Sequence, residues 1–125
     1  MSYEIYWLRP ERVLYVNYQG YQTPETLQWT LDGMAAELDT VRTPVIVLIN
    51  WLNVDGYERG AVLKMRGHRA YGHPMAARGI LVGFDPQLSF ENEVSVVNTR
   101  GDKNTMYFNI MEDAMAFLQP MLEMD

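Results

Sequence analysis

The stretch TPVIVLINWLNVDGY, residues 43–57, decides the fold. Thr43-Pro44 interrupts whatever comes before it, because proline lacks a donor and restricts its neighbour. Val45 to Ile49 is then an unbroken apolar, mostly β-branched run. A run with no polar side reads as a central parallel strand covered on both faces. Asn50 to Gly56 carries Asn50, Asn53, Asp55 and Gly56, all turn-forming types, and reads as the loop at the strand's carboxyl end. Ligands of open α/β sheets sit beyond the carboxyl ends of strands, so this loop is the first place to look for function.

Towards the amino terminus, Thr23-Pro24-Glu25 is a helix start: a capping hydroxyl, proline at the first position and an acid at the positive end of the dipole. Leu27, Leu31, Met34 and Leu38 follow at helical spacing as one buried stripe, with Trp29 about 200° round from Leu27 and off it. Before them, Tyr3–Leu8 and Val13–Tyr18 read as strands joined through Arg9-Pro10 in an antiparallel hairpin, and Gly20–Gln22 as a turn.

Towards the carboxyl terminus, Tyr57–Tyr71 is predicted helical, with Ala61, Val62, Met65 and His68 inward. Gly60 and Gly67 weigh against it at about 1 kcal/mol each. Gly79–Phe84 is the next strand. Asp85-Pro86 then starts a helix with Phe90, Val94 and Val97 as its stripe and Gly101 at its end. Thr105–Phe108 is the last strand. Asn109 and Glu112 form a capping box for a final helix that buries Ile110, Ala114, Phe117, Leu118 and Met121 and bends or ends near Pro120. The order β-β-α-β-α-β-α-β-α implies a single α/β domain over residues 1–125. Its sheet is mixed, mostly parallel and five-stranded, with helices packed on it.

Three stretches carry a family likeness: YEIYWLRPERVLYVNYQG followed by TPETL, then TPVIVLINWLNV, then FDPQLSFENEVSVV through MYFNIMEDAMAFL. In element order and hydrophobic pattern the chain resembles the anti-sigma-factor antagonist (STAS) fold, and more closely the stand-alone SpoIIAA-like bacterial domains. The resemblance implies a non-enzymatic regulatory module. In the phospho-switch members of that family, a Ser or Thr after the central strand is phosphorylated by a partner kinase. Here Asn50 to Tyr57 contains neither, so the resemblance does not extend to that switch. Asp55 supplies one carboxylate there, smaller and less charged than a phosphate.

The net charge of −6 opposes general nucleic-acid binding. Yet Arg59, Lys64, Arg66, Arg69 and Arg78 fall in one stretch free of acids. That stretch is either a solvated surface or a face for an acidic partner. The expected partner-binding residues are therefore Asn53, Asp55, Tyr57, Arg59, Arg66 and Arg69, although Asn53 and Asp55 also suit a simple turn. The alternative function is binding of a small apolar ligand or lipid between sheet and helices, lined from Trp7, Tyr15, Tyr18, Trp51, Phe84 and Phe90.

Other chemistry finds little support. There is no cysteine, which excludes thiolate chemistry and fits a reducing compartment. His68 and His73, five apart, lack zinc spacing. Ser2, Ser89 and Ser95 lie in no nucleophile elbow. Glu91 and Glu93 are two apart on a helix and do not face each other. No cofactor or metal is expected. Met1 to Pro10 has no signal-peptide pattern and no apolar run reaches membrane-spanning length, so the expected location is the cytoplasm, without membrane insertion. Nine methionines, with Trp29 and Trp51, leave room for an exposed apolar patch and a homo-oligomer.

Overall fold

The computed structural model describes residues 3–100 and 105–123. Its strands are β1 (Tyr3–Arg9), β2 (Val13–Gln22), β3 (Val45–Tyr57), β4 (Ala76–Val82) and β5 (Thr105–Phe108). Its helices are α1 (Pro24–Leu38), α2 (Ala61–Lys64), α3 (Pro86–Arg100) and α4 (Met111–Leu122). The strands lie side by side in chain order, β1 antiparallel to β2 and the rest parallel. β3 is the middle strand, as its apolar run requires. This is a mixed, mostly parallel five-stranded α/β sheet.

The layering follows from that order. Right-handed crossovers between strands that advance steadily in one direction place every connecting helix on the same face. α1, α2 and α3 accordingly bury Leu31, Ala35, Leu38, Val62 and Leu88 against Leu14, Val16, Val45 and Val47. Only α4, which follows the last strand, crosses to the other face, where Ala114 and Leu118 meet Val13, Leu48, Ile80 and Val82. Alternation along β3 feeds both layers, Val45 and Val47 to one and Leu48 to the other.

α1 starts as its sequence dictates. The Thr23 hydroxyl accepts the Thr26 N–H, and the Thr26 hydroxyl accepts the Thr23 N–H at 2.8 Å, a capping box built with threonine instead of an acid. Trp29 lies exposed, off the buried stripe. At α3, the Asp85 carboxylate caps by accepting the Leu88 N–H at 2.7 Å.

Several expectations are corrected. Asn50–Gly56 is not a loop: β3 runs on to Tyr57, and β2 runs through the expected Gly20–Gln22 turn to pair with it. Irregularities of register near Asn17–Gln19 and Gly20–Tyr21 absorb the turn-forming residues within the ladder. The predicted helix Tyr57–Tyr71 shrinks to Ala61–Lys64. Gly60 and Gly67 both adopt positive φ, which stops a helix at each end. The strand expected at Gly79–Phe84 lies earlier, at Ala76–Val82. On α3, Phe90 is 60% exposed. The inward face is Leu88, Glu91, Asn92 and Ser95, a 3–4 spacing that includes three polar residues and so escaped the hydrophobic pattern. At α4, Ile110 and not Asn109 is the N-cap, with no side-chain cap bond, and Ile110 is exposed. The helix carries Pro120 inside it. The expectations for the Val97 side chain and Gly101 fall outside the described residues.

Candidate functional site

β4 stops pairing with β3 at Asn50–Val82, whereas β2 follows β3 to its end. From Trp51 onward β3 therefore stands beyond the parallel core of the sheet. Trp51 turns inward, while Leu52, Asn53 and Asp55 are exposed. A row of polar side chains braces this projection on the face away from α1–α3. Asn53 Nδ2 donates to Asn17 Oδ1 at 3.0 Å, and Asn17 Nδ2 donates to Glu4 Oε1 at 2.9 Å. Beside them Asn50 Nδ2 donates to the Tyr15 hydroxyl at 2.9 Å, and Asn50 Oδ1 accepts the Leu52 N–H. The carboxyl-end sides of β2 and β3 and the start of the antiparallel β1 are thus tied by side-chain amide hydrogen bonds that alternate apolar–polar patterning had not signalled. Tyr57 closes the projection. Its hydroxyl donates to the Asp85 carboxylate at 2.9 and 3.0 Å, joining the end of β3 to the cap of α3. Burial, then the Asp85 carboxylate, pushes the Tyr57 phenol up to about 12.

The basic residues do not form one face. Arg59 is exposed just past β3. Lys64 pairs with Glu58 at 3.1 Å, and Arg66 folds back onto the Leu63 carbonyl. Arg78 lies over the Phe117 ring of α4, on the other face of the sheet. Arg69 makes two bonds, 2.9 and 3.0 Å, to Asp39, which caps the end of α1. Asp39 precedes the first residue of β3, so Arg69 sits at the opposite end of the sheet from Asn53. The eight residues of strand between Val45 and Asn53 alone span about 26 Å. Of the six expected residues, Asn53, Asp55, Tyr57 and Arg59 therefore share the carboxyl end. Arg66 lies farther along the connection beyond α2, and Arg69 is remote.

The connection from Met65 to Met75 has a second set of ties. Asp32 and Asp39 stand seven apart, on one side of α1. His68 Nε2 lies 2.7 Å from Asp32, and His73 Nε2 lies 2.7 Å from Asp39. Each ring's Nδ1 accepts a backbone N–H, from Ala70 and Met75 respectively, so Nε2 is the atom that donates to the carboxylate. The Arg69 guanidinium, and next His73, hold the Asp39 carboxyl well below the usual carboxylate range. Its native value being depressed, the stabilisation is present above the unfolded value of about 3.9 and is lost as pH falls below it. We expect Asp39→Asn to speed amide hydrogen exchange across Ala70–Met75 at neutral pH. Acidification below about pH 4 should do the same to wild type but not to the variant. Both rates are read by NMR.

Between the sheet and α1–α3 lies an aromatic cluster. Trp51 contacts Tyr18, Phe84 and Tyr57 at ring separations of 4.9, 5.4 and 6.0 Å, and Phe84 meets Tyr107. Glu91 is completely buried beside it. Its Oε2 accepts the Gly60 N–H and the Gln87 amide, both at 3.1 Å, while Oε1 has no partner. Glu93 goes elsewhere, to Tyr107. An apolar cavity of about 70 Å³ opens within this layer. An apolar cavity of about 150 Å³ is what takes up benzene, so this one is far too small for a lipid. Among the described residues no three His, Asp or Glu side chains converge as a metal site, and no helix is long and apolar enough to cross a membrane.

Comparison with known proteins locates this architecture. No protein-family model matches the chain, and no curated protein matches it in sequence. Solved structures do match. An uncharacterized protein of the DUF3478 family with a SpoIIAA-like fold, from Shewanella loihica PV-4, aligns with a TM-score of 0.61 at 18% identity, covering 93% of this chain and 91% of its own. The anti-sigma factor antagonist SpoIIAA in its unphosphorylated form aligns with a TM-score of 0.60 at 14% identity, covering 94% and 97%.

Proposed function

With the SpoIIAA-like fold as premise, we propose that this chain is a non-catalytic regulatory or scaffolding module. It binds a protein partner through the carboxyl end of its sheet, where Asn53, Asp55, Tyr57 and Arg59 lie together. The observation that carries this reading is the projection of β3 past β4, which presents exposed Leu52, Asn53 and Asp55 on a braced, rigid strand. A pre-organised surface loses little conformational entropy on binding. SpoIIAA is described as an anti-sigma factor antagonist, and we extend a comparable regulatory role in the cytoplasm to this chain. Control by phosphorylation does not follow, since Asn50 to Tyr57 offers no hydroxyl other than Tyr57, which Asp85 already engages.

The test is affinity capture with three proteins: wild type, Asp55→Arg/Arg59→Glu, and Arg42→Glu, an exposed site at the amino end of β3. The reading expects the double variant to lose a partner that wild type and Arg42→Glu retain. Equal retention by all three places the interface elsewhere.

A further inference from the structure

The two faces of the sheet are unequally covered. α1 and α3 lie along one, and α4 alone serves the other. α4 starts over β5 and β4, and its far end carries Met121 to Pro10, Val13 and Ile46 at the amino end of β2 and β3. The carboxyl-end corner of β1, β2 and β3 is left bare on that face. Three strands about 4.8 Å apart make a floor about 10 Å wide, the width that one helix occupies. Tyr6 stacks on Tyr15 there, ring centroids 4.9 Å apart, and is still 48% exposed. Trp51 points to the α1–α3 side, so Leu52, equally exposed, points to this one.

The polar groups in that floor are already paired. Asn17 and Asn50 each engage both ends of their amides within the protein, so a partner covers them without leaving a donor or acceptor unmet. The charge around the floor has one sign. Exposed Glu4 borders it on β1, exposed Asp55 near the end of β3, and exposed Glu112 on the flank of α4 turned away from Phe117. Arg59 lies instead beside Tyr57 and Asp85 at the α3 cap, and Arg9 and Arg12 lie at the amino end of β2. Resting on the reading that this chain binds a protein through the end of its sheet, we propose that the bare corner docks an amphipathic helix of that partner. Its apolar stripe lies on Tyr6, Tyr15 and Leu52, and its basic edge meets Glu4, Asp55 and Glu112. This reverses the polarity expected from the basic stretch, whose Lys64 and Arg69 are engaged by Glu58 and Asp39. A second copy of this chain does not supply such a helix, because α1 and α4 carry no Lys or Arg and α3 has none before Arg100.

The full chain, labelled with ¹⁵N, is titrated with two synthetic amphipathic helices of one pattern, the first built from Leu and Lys, the second from Leu and Glu. Saturable shifts at the Tyr6, Tyr15, Leu52 and Glu112 amides are expected with the Leu/Lys helix and absent with the Leu/Glu helix. Tyr6→Glu should abolish them, whereas Trp29→Glu, an exposed site on α1 over the other face, should leave them intact. Glu4→Gln/Asp55→Asn/Glu112→Gln should weaken the affinity about tenfold, the loss of three exposed ion pairs. Shifts spread over both faces, equal binding of the Leu/Glu helix, or unchanged affinity in Tyr6→Glu or the triple variant overturn the proposal. So does the absence of saturable binding, or self-association that by itself covers Tyr6. The triple variant replaces only exposed carboxylates and remains decisive if Tyr6→Glu fails to fold. In affinity capture, a partner lost by Asp55→Arg/Arg59→Glu but kept by Tyr6→Glu would leave the carboxyl-end interface standing and remove only the docked helix.

Discussion

Truncating Leu48 to alanine is expected to cost about 3–5 kcal/mol, measured by urea denaturation. Leu48 is fully buried on the middle strand and faces α4 together with Ile80, Val82 and Leu118. Only one helix covers that face, so the void left by the lost side chain has few neighbours able to close it. For a domain of this size the loss would be a large share of total stability. A cost below about 1 kcal/mol would mean that α4 is loosely docked. The two layers should also differ in coupling. Leu48→Ala and Leu31→Ala, on opposite faces, should add nearly independently if the sheet is rigid between them.

Glu91→Ala is expected to destabilise by about 2–4 kcal/mol. The Gly60 N–H loses its buried acceptor, worth about 1–3 kcal/mol, and one buried methylene vanishes at about 0.8 kcal/mol. Gly60 needs its positive φ to start α2, so the same change should release the N-terminus of that short helix. Glu91→Gln keeps an acceptor for Gly60 and replaces the orphaned Oε1 with an amide. It should therefore cost much less, and Glu91→Ala equal to Glu91→Gln would show that the Gly60 bond contributes nothing. Both are read by urea titration, with Gly60 amide exchange as the local probe.

The element order was legible because its signals are local. Val45–Ile49 has no polar side and can only be an interior strand. Thr23-Pro24 and Asp85-Pro86 carry their caps in adjacent residues. The stripe Leu27, Leu31, Met34 and Leu38 repeats at helical period. The site was legible in part. Asn53, Asp55, Tyr57 and Arg59 do gather at the carboxyl end, because one continuous segment carries them there. Arg69 does not join them, because the chain between α2 and β4 descends the whole height of the sheet before β4 begins.

The sequence by itself determined what neighbouring residues decide: which runs are buried, where helices start, and that the chain alternates strand and helix. Only the tertiary structure decided which segment would be stretched into a ladder. Asn50–Gly56 has the composition of a turn, but β2 lies beside it and supplies hydrogen bonds that no local turn matches, so it becomes strand. Only the tertiary structure, too, decided which acid would be sealed in. Glu91, Asn92 and Tyr18 look like ordinary residues in sequence. Their burial comes from three helices closing over one face, a consequence of strand order that no window of sequence contains.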